Sequence, residues 1–355
     1  MNIYFWRNKV AKIARRVEGK NLFLYCLGRL VKNVNNPHTL EQMAEAGRNT
    51  DEFSVKHFGE KNKDKNIFLI LMDTPGRGLG AYLHMLASAL YLAERFGFVP
   101  VVYFGEKCMY FDAGIKETNP FEYYFCPVSD VSFEDAKESS NVFLYREAHF
   151  EHCARLILGN ERMNRWSGYN SDYDYLQTLA RVVGKYLELN RTTRNYIDTD
   201  ELKLWGSKNM NRVLGIHIRG TDFKAGWENH PLAVYPEEYF PIIDEALKTQ
   251  FDYIFLATDD TEYLEMFNKR YGDRLGYYKD VHREAGNVSV AMKSTGNYRE
   301  HYRNGLEVLR DIYTLSHCGG LVAGKSQVSF CAQLFRLSKG VPFSFIKILD
   351  KGIKE

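Results

Sequence analysis

The chain has 355 residues, 45% hydrophobic and 26% charged, with a formal net charge of +2. That length exceeds one ordinary core and points to two domains. The near-balanced charge excludes a nucleic-acid binder, which carries a strong basic excess. Six cysteines stand without a CxxC pair or metal-ligand spacing, and no signal peptide or membrane span is evident, so reduced thiols in a cytoplasmic protein are expected.

Residues 1–33 set eight Lys and Arg, from Arg7 to Lys32, against the single acid Glu18. Apolar residues such as Phe5, Trp6, Val10 and Leu22 lie between them. Two readings stand for this arm: contact with an anionic membrane surface, or a helical arm packed on the body. A turn-rich connector with a short helix near 40–46 follows. The first βαβ unit then comes as strand 67–72, a glycine turn at 76–80, helix 81–96 and strand 99–104. Residues 106–170 are less regular, with a strand at 142–145 and a helix at 153–158. Helices are expected over 173–189 and 193–205, and a boundary at 206–211.

The second half alternates more cleanly. Strand 213–218 leads to helix 237–248, strand 253–258, helix 261–271, a weaker strand at 275–278, helix 301–317, strand 321–323 and helix 327–338. Each half reads as a doubly wound α/β domain. The expected division is an arm and connector at 1–62, a first α/β domain at 63–208 and a second at 209–355.

The chemistry-bearing residues gather at strand ends. Strand 213–218 delivers His217, Arg219 and Asp222, then Lys224, Glu228 and His230. His217 and Arg219 alternate and so point to one side, at the end of a buried strand where open α/β sheets hold ligands. Gly76, Gly78 and Gly80 with Ala81 join a strand to a helix, a turn that suits close approach of phosphate. Gly76, Gly78 and Ala81 also match the dinucleotide fingerprint, although Glu106 stands slightly late for its acid. Asp172-Tyr173-Asp174 spells D-x-D but reads better as a helix N-cap. Asp259-Asp260 follows a strand, without a third ligand for a metal. Asp311 lies within helix 301–317, either exposed or turned inward to accept two hydrogen bonds from a guanine edge. Lys325-Ser326-Gln327 opens the last helix and offers a second phosphate seat.

These motifs, in this order, resemble the superfamily of α1,6-fucosyltransferases, nodulation fucosyltransferases and protein O-fucosyltransferases. The resemblance rests on G-x-H-x-R-x-T-D at 215–222, H-P at 230–231 and the glycine loop with His84 one helical turn on. It continues through F-L-A-T-D-D at 255–260, L-R-D-I-Y-T-L-S at 309–316 and S-Q-V at 326–328. It implies a GT-B-like fold, two Rossmann-like domains facing a central cleft, behind the N-terminal arm. It implies an inverting, metal-independent enzyme with GDP-β-L-fucose as donor and a glycan or lipid-linked oligosaccharide as acceptor, and no permanently bound cofactor. Arg219 would hold the β-phosphate, His217 the nucleotide and Asp311 the guanine. Ser326 and Gln327 would line the diphosphate end, and Gly76, Gly78 and Gly80 would face the donor across the cleft. Where the family often has a second arginine this chain has Gly220, a loss for which Lys325 would compensate. A carboxylate must take the acceptor proton, with Glu228 preferred and Asp222 second; Asp222 could instead be structural. The expected location is cytoplasmic, and peripheral on the inner face of the membrane under the first of the two readings of the arm. Three other readings stand: another GDP-sugar as donor, an NAD-dependent oxidoreductase built on the 76–81 fingerprint, and an inactive GDP- or glycan-binding homologue.

Overall fold

The computed structural model describes residues 55–115, 119–146, 172–226, 228, 230–287 and 298–354. From Lys56 onward the chain forms one compact unit, Lys56–Glu355. The basic segment 1–33 and the helices expected at 40–46 and 153–158 lie outside the described residues.

The α/β class holds, and the described residues build two separate sheets. The first runs in the order β1-β4-β2-β3, with β1 at Val55–Lys56. Its centre is β2 (Ile67–Met72), a fully apolar run of the kind that sits between two covered faces. Parallel partners flank it: β3 (Val99–Phe104), with Ile67 beside Val99, and β4 (Val142–Arg146), with Ile67 beside Val142. Between β2 and β3 the chain crosses over through α1 (Leu79–Phe96), which ends where Gly97 takes a left-handed φ of 69° and donates back to Ala93 and Glu94. Ile67, Leu69, Val101 and Val142 face the other way, onto Val131 and Ala136 near the short helix α2 (Phe133–Ala136).

Helix α3 (Tyr173–Tyr186) follows, and Asp172 accepts a hydrogen bond from the Tyr175 N–H at 2.9 Å. The cap reading of the D-x-D tripeptide is therefore the one the structure takes. Helix α4 (Arg191–Trp205) is capped in the same way by Asn190 and leads to the second sheet.

That sheet runs β7-β6-β5-β8-β9, parallel throughout. Its strands are β5 (Val213–Ile218), β6 (Tyr253–Thr258), β7 (Leu275–Gly276), β8 (Gly320–Gly324) and β9 (Phe345–Leu349). The helices are α5 (Thr221–Ala225), α6 (Pro236–Thr249), α7 (Thr261–Tyr271), α8 (Glu300–His317) and α9 (Gln327–Leu337). Alternation along β5 sorts the two faces. Leu214, Ile216 and Ile218 pack with Tyr239, Ile243 and Phe267 of α6 and α7. Val213 joins Phe255, Leu321, Leu315, Cys318 and Ala332 on the opposite face, with α8 and α9. The weak strand expected at 275–278 contracts to two residues, and β9 is an addition to the expected elements.

Helix α9 follows β8 of the second sheet yet docks on the first half of the chain. Its Phe330 ring lies 4.2 Å from that of His84 on α1 and 6.0 Å from that of Tyr175 on α3. The Cys331 thiol reaches the Gly80 carbonyl at 3.3 Å.

Candidate functional site

The order of the second sheet fixes where its crevice opens. From β5 the chain moves outward to β6 and β7 on one side, then returns to β8 on the other. The crossovers diverge at the C-terminal ends of β5 and β8, the switch point at which such sheets open a crevice. Two segments meet there: His217-Ile218-Arg219 at the end of β5 and Gly324-Lys325-Ser326 at the end of β8.

His217 and Ser326 bridge them, with Nδ1 3.2 Å from the serine hydroxyl. Ser326 also caps α9, accepting from the Ser329 N–H at 3.1 Å. Tyr239 donates to the His217 carbonyl at 3.1 Å from the other face of the sheet. Burial lowers the His217 pKa to about 4, against the pull of Asp259, so the ring is neutral at physiological pH.

Arg219 sits at the lip of the crevice, partly exposed, between two carboxylates. Its Nε and Nη2 reach Asp222 Oδ1 at 2.9 and 2.8 Å, and Nη1 reaches Asp259 Oδ2 at 3.0 Å. Burial works against the charge, yet Asp259 and Asp222 hold the guanidinium pKa above its ordinary value. The pair also orients the planar fork. Asp259 does more, accepting from the Gly220 N–H at 2.8 Å and the Thr221 hydroxyl at 2.5 Å. Asp260, fully buried, caps α7 through the Tyr263 N–H, accepts from the Thr221 N–H and pairs with Lys224 at 2.6 Å. These carboxylates are committed to the loop and to Arg219.

The same loop explains Gly220. A Cβ at that position would stand 2.3 Å from Asp260 Cβ. Any larger residue, a second arginine included, would have to displace a buried, triply engaged carboxylate. Lys325 does not replace it: its side chain is buried and ion-paired with Asp350.

The floor of the crevice comes from α8, which places Glu307 and Asp311 one turn apart. Asp311 Oδ1 is buried with no hydrogen-bond partner among the described residues, and burial raises the carboxyl pKa to about 7 despite Arg283 and Arg310 nearby. Burial likewise raises Glu307, whose Oε2 accepts from the His282 N–H at 3.1 Å. Arg283 donates to the Thr258 and Val281 carbonyls at 3.1 Å each, while its Nη2 is buried without a partner among the described residues. Arg310 turns away, into Asp280 and Asp200 and onto the Tyr278 ring. Tyr110 lines the crevice from the first half of the chain, its hydroxyl accepting from the Leu79 N–H at 2.6 Å.

His217, Arg219 and Asp311 therefore meet in one cleft, with Ser326 hydrogen-bonded to its wall. Gly76 takes a left-handed φ of 78° in the turn before α1, and Gly78 has open space where a Cβ would stand. Gly80 packs α1 closely on α9, since a Cβ there would lie 2.9 Å from the Gln327 backbone. Asp222 takes the structural course, tied to the Arg219 side chain and the Thr221 hydroxyl. Glu228 is exposed and does not line the cleft. Sequence reasoning passed over Tyr110, Arg283 and Glu307. Glu307 carried a legible signal, one turn before Asp311 on an amphipathic helix; the other two sit in irregular segments and carried none. Among the described residues no group of three or more His, Cys, Asp or Glu is placed to hold a metal ion, and no helix is long and apolar enough to cross a membrane.

Fold and site together define a two-sheet α/β protein with a cationic lip and an acidic floor at a switch point. No protein-family model matches the chain, and no curated protein does. Solved structures resemble it in outline. Fucosyltransferase NodZ from Bradyrhizobium is 17% identical over 76% of this chain and 92% of its own, with a TM-score of 0.44. FUT1 of Arabidopsis thaliana, in complex with GDP, is 14% identical over 90% of this chain and 79% of its own, at 0.44. POFUT1 in complex with GDP-fucose is 10% identical over 83% of this chain and all of its own, at 0.46. None of these three reaches a TM-score of 0.5, so none assigns a role to a residue here.

Proposed function

We propose that this chain is an inverting glycosyltransferase that takes a GDP-sugar, GDP-β-L-fucose first among them, and transfers the sugar to a glycan or lipid-linked hydroxyl. The observation that carries the reading is the pairing of Arg219 at the lip with the unpartnered Asp311 oxygen on the floor of the same cleft. Guanine offers two adjacent N–H donors, the complement of a carboxylate whose buried Oδ1 lacks a partner among the described residues. Cleavage of the glycosyl phosphate leaves negative charge on the β-phosphate, and a cation already oriented by Asp222 and Asp259 stabilises that charge more in the transition state than before it. His217, neutral, and Ser326 stand beside that position, with Gln327 at the diphosphate end. The acceptor hydroxyl attacks the sugar carbon opposite the leaving group, giving one inversion. With Asp222 held on Arg219, we take Glu228 as the base that receives the acceptor proton.

Calorimetric titration with GDP, UDP and NAD is the test. Heat with GDP alone is expected, and its absence would sink the reading; heat with NAD would favour the oxidoreductase alternative. Arg219→Ala should abolish transfer while the far-ultraviolet spectrum keeps its shape, and turnover should survive EDTA. GDP binding without hydrolysis or transfer of any GDP-sugar would instead mark an inactive homologue.

A further inference from the structure

His84 lies at the centre of a buried junction of three helices. On α1, it is 1% exposed, with its ring tilted 40° against that of Phe330 of α9. Its Nδ1 is 3.0 Å from Gln327 Oε1, and its Nε2 is 2.7 Å from the Tyr175 hydroxyl on α3. Burial lowers its pKa to about 3, so the ring is neutral and carries a single N–H. One N–H between two polar partners forces a choice of tautomer, and the choice sets the sense of both hydrogen bonds.

Neighbouring groups narrow the sense to two arrangements. Ser88 donates its hydroxyl proton to the His84 carbonyl at 3.2 Å, and its oxygen stands 3.3 Å from that of Tyr175. Among the described residues the Tyr175 proton then goes either to His84 Nε2 at 2.7 Å or to the Ser88 oxygen at 3.3 Å, and the shorter contact is the one taken here. With Nε2 accepting, Nδ1 carries the proton and donates to Gln327 Oε1. The amide of Gln327, first residue of α9, is then locked with its oxygen toward His84 and its NH2 toward the other side.

We propose that His84 is a positioning residue: by taking the Tyr175 proton on one side and donating on the other, it fixes Gln327 so that a hydrogen-bond donor, rather than an oxygen, faces an anionic group at the N-terminus of α9. This rests on the reading of that terminus as the diphosphate end of the site. A phosphate accepts hydrogen bonds only, and the opposite amide orientation would set Oε1 against it. The helix N-terminus and the Gln327 amide then act with one polarity.

Imidazole nitrogen shifts in the ¹⁵N-histidine-labelled protein test the assignment without any ligand, the His84 signals being identified by their loss in His84→Asn. A proton on Nδ1 and a bare Nε2 are expected; a proton on Nε2 would overturn the proposal. Calorimetry with GDP tests the consequence. His84→Asn sets an amide nitrogen where Nδ1 stood and should keep affinity within about threefold. His84→Gln reaches the Nε2 place instead and should weaken binding about tenfold, the size of one neutral hydrogen bond. Added to Gln327→Leu, His84→Gln should cost nothing further. Parent-like affinity in His84→Gln, or a loss additive with Gln327→Leu, would overturn the positioning role. A parent protein that takes no GDP overturns the assumed ligand, and the tautomer still decides the His84 assignment.

Discussion

Asp311 weakens the protein that carries it. Burial holds its carboxyl at about 7, whereas an unfolded chain ionises near the ordinary carboxylate value of about 3.9. The folded state thus keeps a proton that the unfolded state releases between those two values. Stability from this group is complete below the lower value and is lost as pH rises through about 7. Asp311→Asn, neutral at every pH and of the same shape, escapes that loss. Its free energy of unfolding should exceed the parent's at pH 8 by on the order of 1–2 kcal/mol after allowance for partial exposure, seen as a higher melting temperature, and the gap should close by about pH 4. Binding should move oppositely. A guanine edge needs the ionised carboxylate, so parent affinity for GDP should fall as pH drops below about 7, by up to about tenfold per unit, while the variant binds weakly with no such slope. A pH-independent parent affinity would remove Asp311 from nucleotide recognition. Sequence alone could raise Asp311 only as a choice between a solvated acid and an inward one, because burial by Arg283 and the 281–283 loop lies outside the periodicity of its own helix. Arg219 and His217 were legible for the opposite reason: strand alternation by itself puts them on one side.

At the scale of elements, the junction of α1 with α9 rests on a glycine whose value is its missing Cβ. Gly80 lies in the first turn of α1, and by helix propensity an alanine there would gain about 0.5–1 kcal/mol. The added carbon would meet the Gln327 backbone carbon at 2.9 Å and its oxygen at 3.0 Å, and backbone cannot rotate aside. Overpacking of that kind costs about 1–3 kcal/mol, so the clash outweighs the propensity. Gly80→Ala should lower the midpoint of urea unfolding with an unchanged slope and should weaken GDP binding, since α9 carries Ser326 and Gln327 at its start. A stabilised variant would mean that the helices separate cheaply. The four six-residue strands were legible to the residue because each is a short apolar run closed by polar turns. Strand β9 escaped notice because, at the edge, it exposes Ile346 and Lys347 and loses that signature. The docking of α9 on α1 and α3 was equally hidden. Residues Ser329 to Arg336 are all buried, and a helix buried on every side advertises a core without saying which one.

The whole molecule inherits a constraint from that docking. A boundary near 206–211 divides the two sheets in sequence, but α9 lies beyond the boundary and its Phe330 and Cys331 are packed against His84 and Gly80 before it. Unfolding the first half strips α9 of its cover, and unfolding the second removes α9 from α1 and α3. Two doubly wound sheets joined only by a linker would melt separately; these two should melt together. GDP bound at the second sheet should then stabilise both, by about 2.7 kcal/mol at a hundredfold excess over its dissociation constant. Native-state hydrogen exchange makes the difference measurable. Under conditions where exchange goes by global unfolding, amides of β2 in the first sheet and β5 in the second should slow by the same factor when GDP is added. Protection confined to β5, or two calorimetric transitions of which GDP moves one, would show that the halves fold independently despite the shared helix. Equal protection would mean that the cleft is held together by the same packing that sets Gln327 at its edge, so substitutions at the α1–α9 junction would act on stability and nucleotide affinity at once.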